Sequence, residues 1–326
     1  MAGTATGTLS DEYRTLLEGC GLLDRSDRGK LALSGSEAVE FLNGQVTNEL
    51  AGLAPGEGRY AAFLTHKGKM LGDLRVLVVP SPDGDGPELL LDTERSALQA
   101  LFDMIRRFKV GYRVELHKRT VESGLLSLIG PRAEQLAAAE LGPDEHANAP
   151  VEIDGIGALA IRTDLGIDLL CAAEDTGALA AALRARGATP VEDAAAECVR
   201  VESGRPRYGV DLDDSVIPQE AGLNERAVNF TKGCYVGQET VARLFYRGKP
   251  NRHLRGLRLS APADPGAELR LGERVVGHLG TVAASPRLGP IALALVRREA
   301  EPGASVAVGD GDVTAEVVEL PFSPAG

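Results

Sequence analysis

The sequence predicts an α+β protein in which two mixed units are followed by an all-β domain. Three observations carry this. Strand-like and helix-like runs alternate through residue 116, the alternation restarts near residue 120, and helical periodicity disappears from about residue 254.

In the first unit, SEAVEFLNGQVTNEL at residues 36–50 has a plausible helix start, with Ser34 or Ser36 as cap and acids in the first turn. Leu74–Val79 and Glu88–Leu91 read as strands around the turn SPDGDGP. Leu98, Leu101, Phe102, Ile105 and Phe108 follow the i, i+3, i+4, i+7 spacing of an amphipathic helix, and a strand is expected around Tyr112–Leu116. In the second unit LLSLIG reads as a strand and PRAEQLAAAEL as a helix with Pro in its first turn. IDLLCAA reads as another strand and the Ala-rich run 174–186 as another helix. Beyond residue 254, short runs such as LRGLRLS, IALALVRR and VTAEVVEL are separated by Gly, Pro and Asp turns, the pattern of a small barrel or sandwich.

Composition narrows the function. The 326 residues suffice for two or three domains. Net charge is −12, which argues against nucleic acid as a partner, since phosphate binding needs a positive surface. No apolar run approaches ~18 residues, and the N-terminal segment lacks the charged-then-apolar order of a secretion signal. A cytoplasmic protein without a membrane partner is expected. Cys20, Cys171, Cys198 and Cys234 form no C-x-x-C pair, so free thiols and no metal site are expected. There is no phosphate loop at Gly68-Lys69, no G-x-S-x-G, no H-E-x-x-H and no G-x-G-x-x-G. The five histidines, at 66, 117, 146, 253 and 278, give no triad by spacing.

Residues 202–249 are dense in polar and Gly residues that no core face explains. Cys234 follows Lys232-Gly233 and precedes VGQETVARL, a run able to form a helix. A thiol at a helix start with a lysine two residues away should hold more thiolate at neutral pH. A buried structural cysteine is the competing reading. Between Arg226 and Arg258 there are eight basic residues and one acid, Glu239, which suggests an anionic ligand group or, equally, a solvated linker. Glu202, at the exit of EDAAAECVRVE, would suit an amidine-like ring edge or a salt bridge to Arg200 or Arg205.

The octapeptide Lys232-Gly233-Cys234-Tyr235-Val236-Gly237-Gln238-Glu239 resembles the signature of the YgfZ branch of the YgfZ/GcvT folate-binding family. FLNGQVTNEL, GRYAAFLTHKGKMLGDLRV, RVESGRPRYGVDL, IPQEAGL and the C-terminal VVGHLGTVAASPRLGPIALALVRR extend the resemblance. The first ~20 residues and the loops near 80–87 and 142–155 stay outside it. The resemblance implies two ferredoxin-like α+β domains and a C-terminal antiparallel β-barrel around a central folate site. The first domain is discontinuous (residues 1–33 and 118–245), with 34–117 inserted and 246–326 forming the barrel. It implies tetrahydrofolate or a folate derivative as cofactor and iron–sulfur client proteins or assembly factors as partners. Glu202 matches the acid that binds the pterin, while Arg226 and Arg243 face the glutamate tail and Gln238 joins the folate contacts. Tyr60 and the stretch 68–73 match the wall near the folate's reactive nitrogens. Cys234 and Lys232 would carry chemistry beside the pocket, with Asp73 acting on the folate amine.

Two departures bear on activity. Gly72 stands where the aminomethyltransferase branch has the first of two acids, leaving Asp73 alone, and Cys234 stands where that branch has no thiol. The resulting expectation is a folate-binding factor for iron–sulfur assembly or repair, with Cys234 as reactive thiol. Its alternatives are a folate-dependent aminomethyltransferase or demethylase, and a scaffold that keeps the pocket without chemistry.

Overall fold

The computed structural model describes residues 2–81 and 86–323. Two antiparallel-rich sheets face each other across a cleft, and a closed barrel completes the molecule. The first sheet has six strands, in the order Thr189–Pro190, Gly21–Asp24, Ser123–Ile129, Gly166–Ala172, Ile156–Arg162 and Asn148–Ile153. Only the Thr189–Pro190 edge pairs in parallel. Along Ser123–Ile129 nearly every residue is buried, because both faces are covered. Leu126 and Leu128 pack with Leu136, Leu179 and Leu183 of the helices Ala133–Ala137 and Thr176–Ala185. Leu125, Ser127 and Ile129 line the cleft.

The second sheet has five strands, in the order Gly58–Leu64, Met70–Pro80, Pro87–Thr93, Gly29–Ser34 and Glu115–Lys118. The helices Ala38–Asn43 and Leu98–Phe108 cover its far face, where Leu74, Val76 and Val78 meet Phe41, Leu101 and Ile105. The alternate residues Asp73, Arg75 and Leu77 line the cleft. Gly29–Ser34 pairs with Pro87–Thr93, so this sheet takes in chain from before residue 34. The segment after residue 205 also returns to it: Leu212, Val216, Leu223, Tyr235 and Val241 pack on Ala62, Leu64 and Met70.

The barrel closes through Arg252–Leu259, Gly289–Arg297, Arg274–Ser285, Glu268–Leu271, Ser305–Val308 and Thr314–Val318. The expected fold class, α+β with a C-terminal antiparallel barrel, is the observed one. Local differences have local causes. The strand expected at 112–116 begins at Glu115, because Lys109–Val114 is a turn closed by Tyr112 N–H to Lys109 O. The helix expected over 131–141 is confined to Ala133–Ala137, ended by Ala138 at φ +48°. The helix Ala2–Glu18 went unread, although Tyr13 and Leu16 share one face and pack with Val199 and Ile291.

Candidate active site

The cleft is divided by a partition of charge. The Arg75 guanidinium lies 2.6 Å from Asp92 within its own sheet and 2.6 Å from Asp168 on the opposing sheet. Ser127 donates to Asp168 at 2.5 Å, and Arg28 pairs with Asp92 at 2.9 Å and also with Glu94. Although burial opposes their ionisation, the arginines hold Asp92 and Asp168 below the usual carboxylate range. On one side lies a largely apolar cavity of about 480 Å³, with Leu31, Leu77, Leu125 and Leu170 in its walls.

On the other side is a polar cavity of about 170 Å³, on the scale that accepts an aromatic ring. Here Tyr60 donates to Asp73 at 2.7 Å. Among the described residues Tyr60 is the one hydrogen-bond partner of the Asp73 carboxylate, and no basic side chain pairs with it. Burial, opposed in part by that hydrogen bond and reinforced by Glu94, pushes Asp73 up to about 6. Burial and the Asp73 charge hold Tyr60 protonated, well above its ordinary value. The Arg226 guanidinium stacks 4.6 Å from the Tyr60 ring centroid and forks onto Glu145, with Nε to Oε2 at 3.0 Å. His146 lines the same cavity, and burial lowers it to about 4, so its ring is neutral at physiological pH. A carboxylate titrating near neutrality in a pocket of fixed hydrogen bonds can bind or take up a proton from an amine.

The expected site residues separate. Tyr60, Asp73 and Arg226 meet in this cavity; Glu202, Cys234, Lys232, Gln238 and Arg243 are not part of its lining. Glu202 is taken up elsewhere, accepting from Tyr13 (2.9 Å), Ser285 (2.5 Å) and Arg287 (2.5 Å). It thereby bolts the N-terminal helix and the barrel to the helix Asp193–Glu202. Neither expected salt bridge forms, because Arg200 serves Glu197 and Asp211 while Arg205 serves Asp164.

Cys234 is exposed, but the two supports expected for its thiolate are not in place. The helix Gln238–Arg247 begins four residues later. The Lys232 ammonium turns inward onto the carbonyls of Asn43 (2.7 Å), Val46 (2.9 Å) and Asn48 (2.6 Å). Burial lowers that ammonium to about 8, which leaves it charged at neutral pH. The basic run is likewise not one surface: Arg226 is in the cavity, Arg252 pairs with Glu220, Arg255 with Glu319, and Arg243 is exposed.

The partition and His146 were not anticipated as site residues. The partition had a signal, since Arg75, Asp92 and Asp168 are charges inside otherwise apolar strand runs, a costly arrangement unless paired. His146 had none, because its loop has no periodicity.

Comparison with known proteins agrees with this architecture. The GCVT N-terminal domain model matches residues 3–232, and the glycine cleavage T-protein C-terminal barrel domain matches residues 252–323. The aminomethyltransferase of Geobacillus kaustophilus is 30% identical over 97% of this chain and 90% of its own. A chloroplastic protein of Arabidopsis thaliana named as a transferase is 27% identical over 92% of this chain and 71% of its own. The crystal structure of aminomethyltransferase T from Bartonella henselae superposes with a TM-score of 0.83 at 23% identity, covering 97% of this chain and 89% of that one. Among the described residues no helix is long and apolar enough to cross a membrane. With both of its domain models matched in order along almost the whole length, this chain belongs to the glycine cleavage T-protein (GCVT) family.

Proposed function

We propose that the protein binds a tetrahydrofolate with its ring end in the polar cavity and transfers a one-carbon unit to it, as an aminomethyltransferase or demethylase of the cytoplasm. The observation that carries this reading is Asp73: buried, oriented by Tyr60, without a basic partner, and titrating at about 6. The neighbouring acids Asp92, Asp168 and Glu145 are all neutralised by arginines, which leaves Asp73 for an amine. The residues present suit such a ligand, because Arg75, with Nη2 unpaired, and His146, with both ring nitrogens unpaired, line a cavity of ring size. A bound tetrahydrofolate supplies the amine nitrogens that accept the one-carbon unit. Asp73 orients that neutral amine by accepting its hydrogen bond and takes up the proton the amine releases. Tyr60 keeps the carboxylate oriented, and Arg226, stacked on Tyr60, fixes the phenol ring.

Calorimetric titration with 5-formyltetrahydrofolate, together with a transfer assay using aminomethyl and methylamine donors, tests this. Wild-type protein should bind, and Asp73→Asn should bind but fail to turn over. No binding by folded wild-type protein sinks the reading.

A second reading, the YgfZ-branch role in iron–sulfur assembly or repair, is favoured by one observation. The exposed thiol Cys234 sits in a loop that the Lys232 ammonium pins to the second sheet's unit. It would act on iron–sulfur client proteins or assembly factors at the surface, away from the cavity. Full recovery of cluster-enzyme activity by Cys234→Ala in a complemented deletion strain would eliminate it.

A further inference from the structure

The loop leading to Asn148 crosses from the first sheet to the second. Asn148 N–H donates to Gly56 O at 2.8 Å, and its side-chain amide donates to Glu57 O at 3.0 Å. His146 N–H donates to Arg162 O at 2.9 Å. The approach to the second sheet is so close that a Cβ on Gly58 would fall 2.7 Å from His146 O and 2.8 Å from its Cβ. Only glycine at residue 58 lets the loop seat there. His146 itself is held at φ +72°, an uncommon conformation for a residue with a side chain and one that its neighbours must impose.

This clamped backbone places His146 in the lining of the polar cavity. The His146 side chain is 7% exposed, and neither Nδ1 nor Nε2 has a hydrogen-bond partner. The nearest carboxylate oxygen, Glu145 Oε1, is 3.6 Å from Nε2 and is committed to Arg226. The Tyr60 ring lies alongside, 6.3 Å between centroids. A neutral imidazole offers one donor and one acceptor, and burying both unpaired is costly. Burial keeps the ring neutral, so both functions are available at physiological pH. The Glu145 carboxylate at this wall is already paired with Arg226. A neutral heterocycle edge, with ring N–H and C=O groups, suits the wall.

We propose that His146 is a ligand-contacting residue of the polar cavity, that one of its ring nitrogens hydrogen-bonds the heterocyclic ring of a bound folate, and that its loop forms that wall of the site. The inference rests on the folate reading above and adds to it a residue that the sequence alone did not place at the site.

The test is calorimetric titration of 5-formyltetrahydrofolate into wild type, His146→Phe and His146→Gln, each checked for folding by circular dichroism. His146→Phe should weaken binding about tenfold. His146→Gln, which keeps a donor and an acceptor, should stay within about threefold of wild type. In protein with ¹³C-labelled histidine, the ring resonance that is missing from His146→Gln should move when the ligand is added to wild type. If wild type does not bind, the folate reading fails and takes this inference with it. If wild type binds while His146→Phe binds equally well, or the His146 resonance stays still, only this inference fails. Should His146→Phe not fold, the resonance decides.

Discussion

Arg75 spans the cleft to Asp168, 2.6 Å from guanidinium nitrogen to carboxylate oxygen, with both side chains 7% exposed. The pair joins the two sheets across the cleft, and it separates a polar cavity from an apolar one. Replacing Arg75 by Met leaves Asp168 without its closest counter-charge while Asp92 keeps Arg28. The expected loss is about 3 kcal/mol, read by urea unfolding. Adding Asp168→Asn should restore part of it, and a double-mutant cycle measures the coupling. Strict additivity would show that the pair does not tie the sheets.

The partition also sets the acid limb of stability. Asp92 and Asp168 titrate below their unfolded values, so the unfolded chain binds more protons. Their contribution is complete above pH ~4 and is lost as pH falls through the folded values. Melting temperature should therefore drop steeply below about pH 4, and less steeply in the Arg75→Met, Asp168→Asn protein.

Asp73 has the opposite sign. Its folded value, about 6, lies above the ordinary carboxylate value, so the folded state holds the extra proton. That contribution is present below pH ~4 and disappears as pH rises through about 6. Asp73→Asn should then be the more stable protein at pH 8, by on the order of 2 kcal/mol, and no better than wild type at pH 4. Thermal melts across this range check it. One-carbon transfer should rise through the same window in wild type.

Lys232 is a structural cation. Its ammonium serves three main-chain carbonyls and Asn43 Oδ1, so Lys232→Met leaves several buried acceptors unpaired. A loss of roughly 3 kcal/mol in urea unfolding is expected, with the Asn43–Asn48 turn exchanging amide hydrogens faster. A change below 0.5 kcal/mol would contradict the bonding seen here.

Thiol reactivity should be one-sided. Cys234 is exposed, while Cys20, Cys171 and Cys198 are buried, with burial pushing Cys20 and Cys198 up to about 11. A maleimide should label one site quickly in native protein and all four only after denaturation. Mass spectrometry of the native adduct should place it on Cys234, and Cys234→Ala should change stability by less than about 0.5 kcal/mol.

By itself the sequence determined the α+β order, the barrel, the amphipathic helix Leu98–Phe108 and the family, because periodicity and motif are local properties of the chain. Short family-like stretches also singled out Tyr60 and Asp73, while Arg226, expected at a glutamate tail, stacks on Tyr60 instead. Tertiary structure decided which charges meet. Glu202 was drawn to Tyr13, Ser285 and Arg287, Lys232 to carbonyls near residue 46, and Arg75 to Asp168. Those partners lie 83 or more residues apart, and no local pattern encodes a long-range pairing that only the packing of two sheets and a barrel brings together.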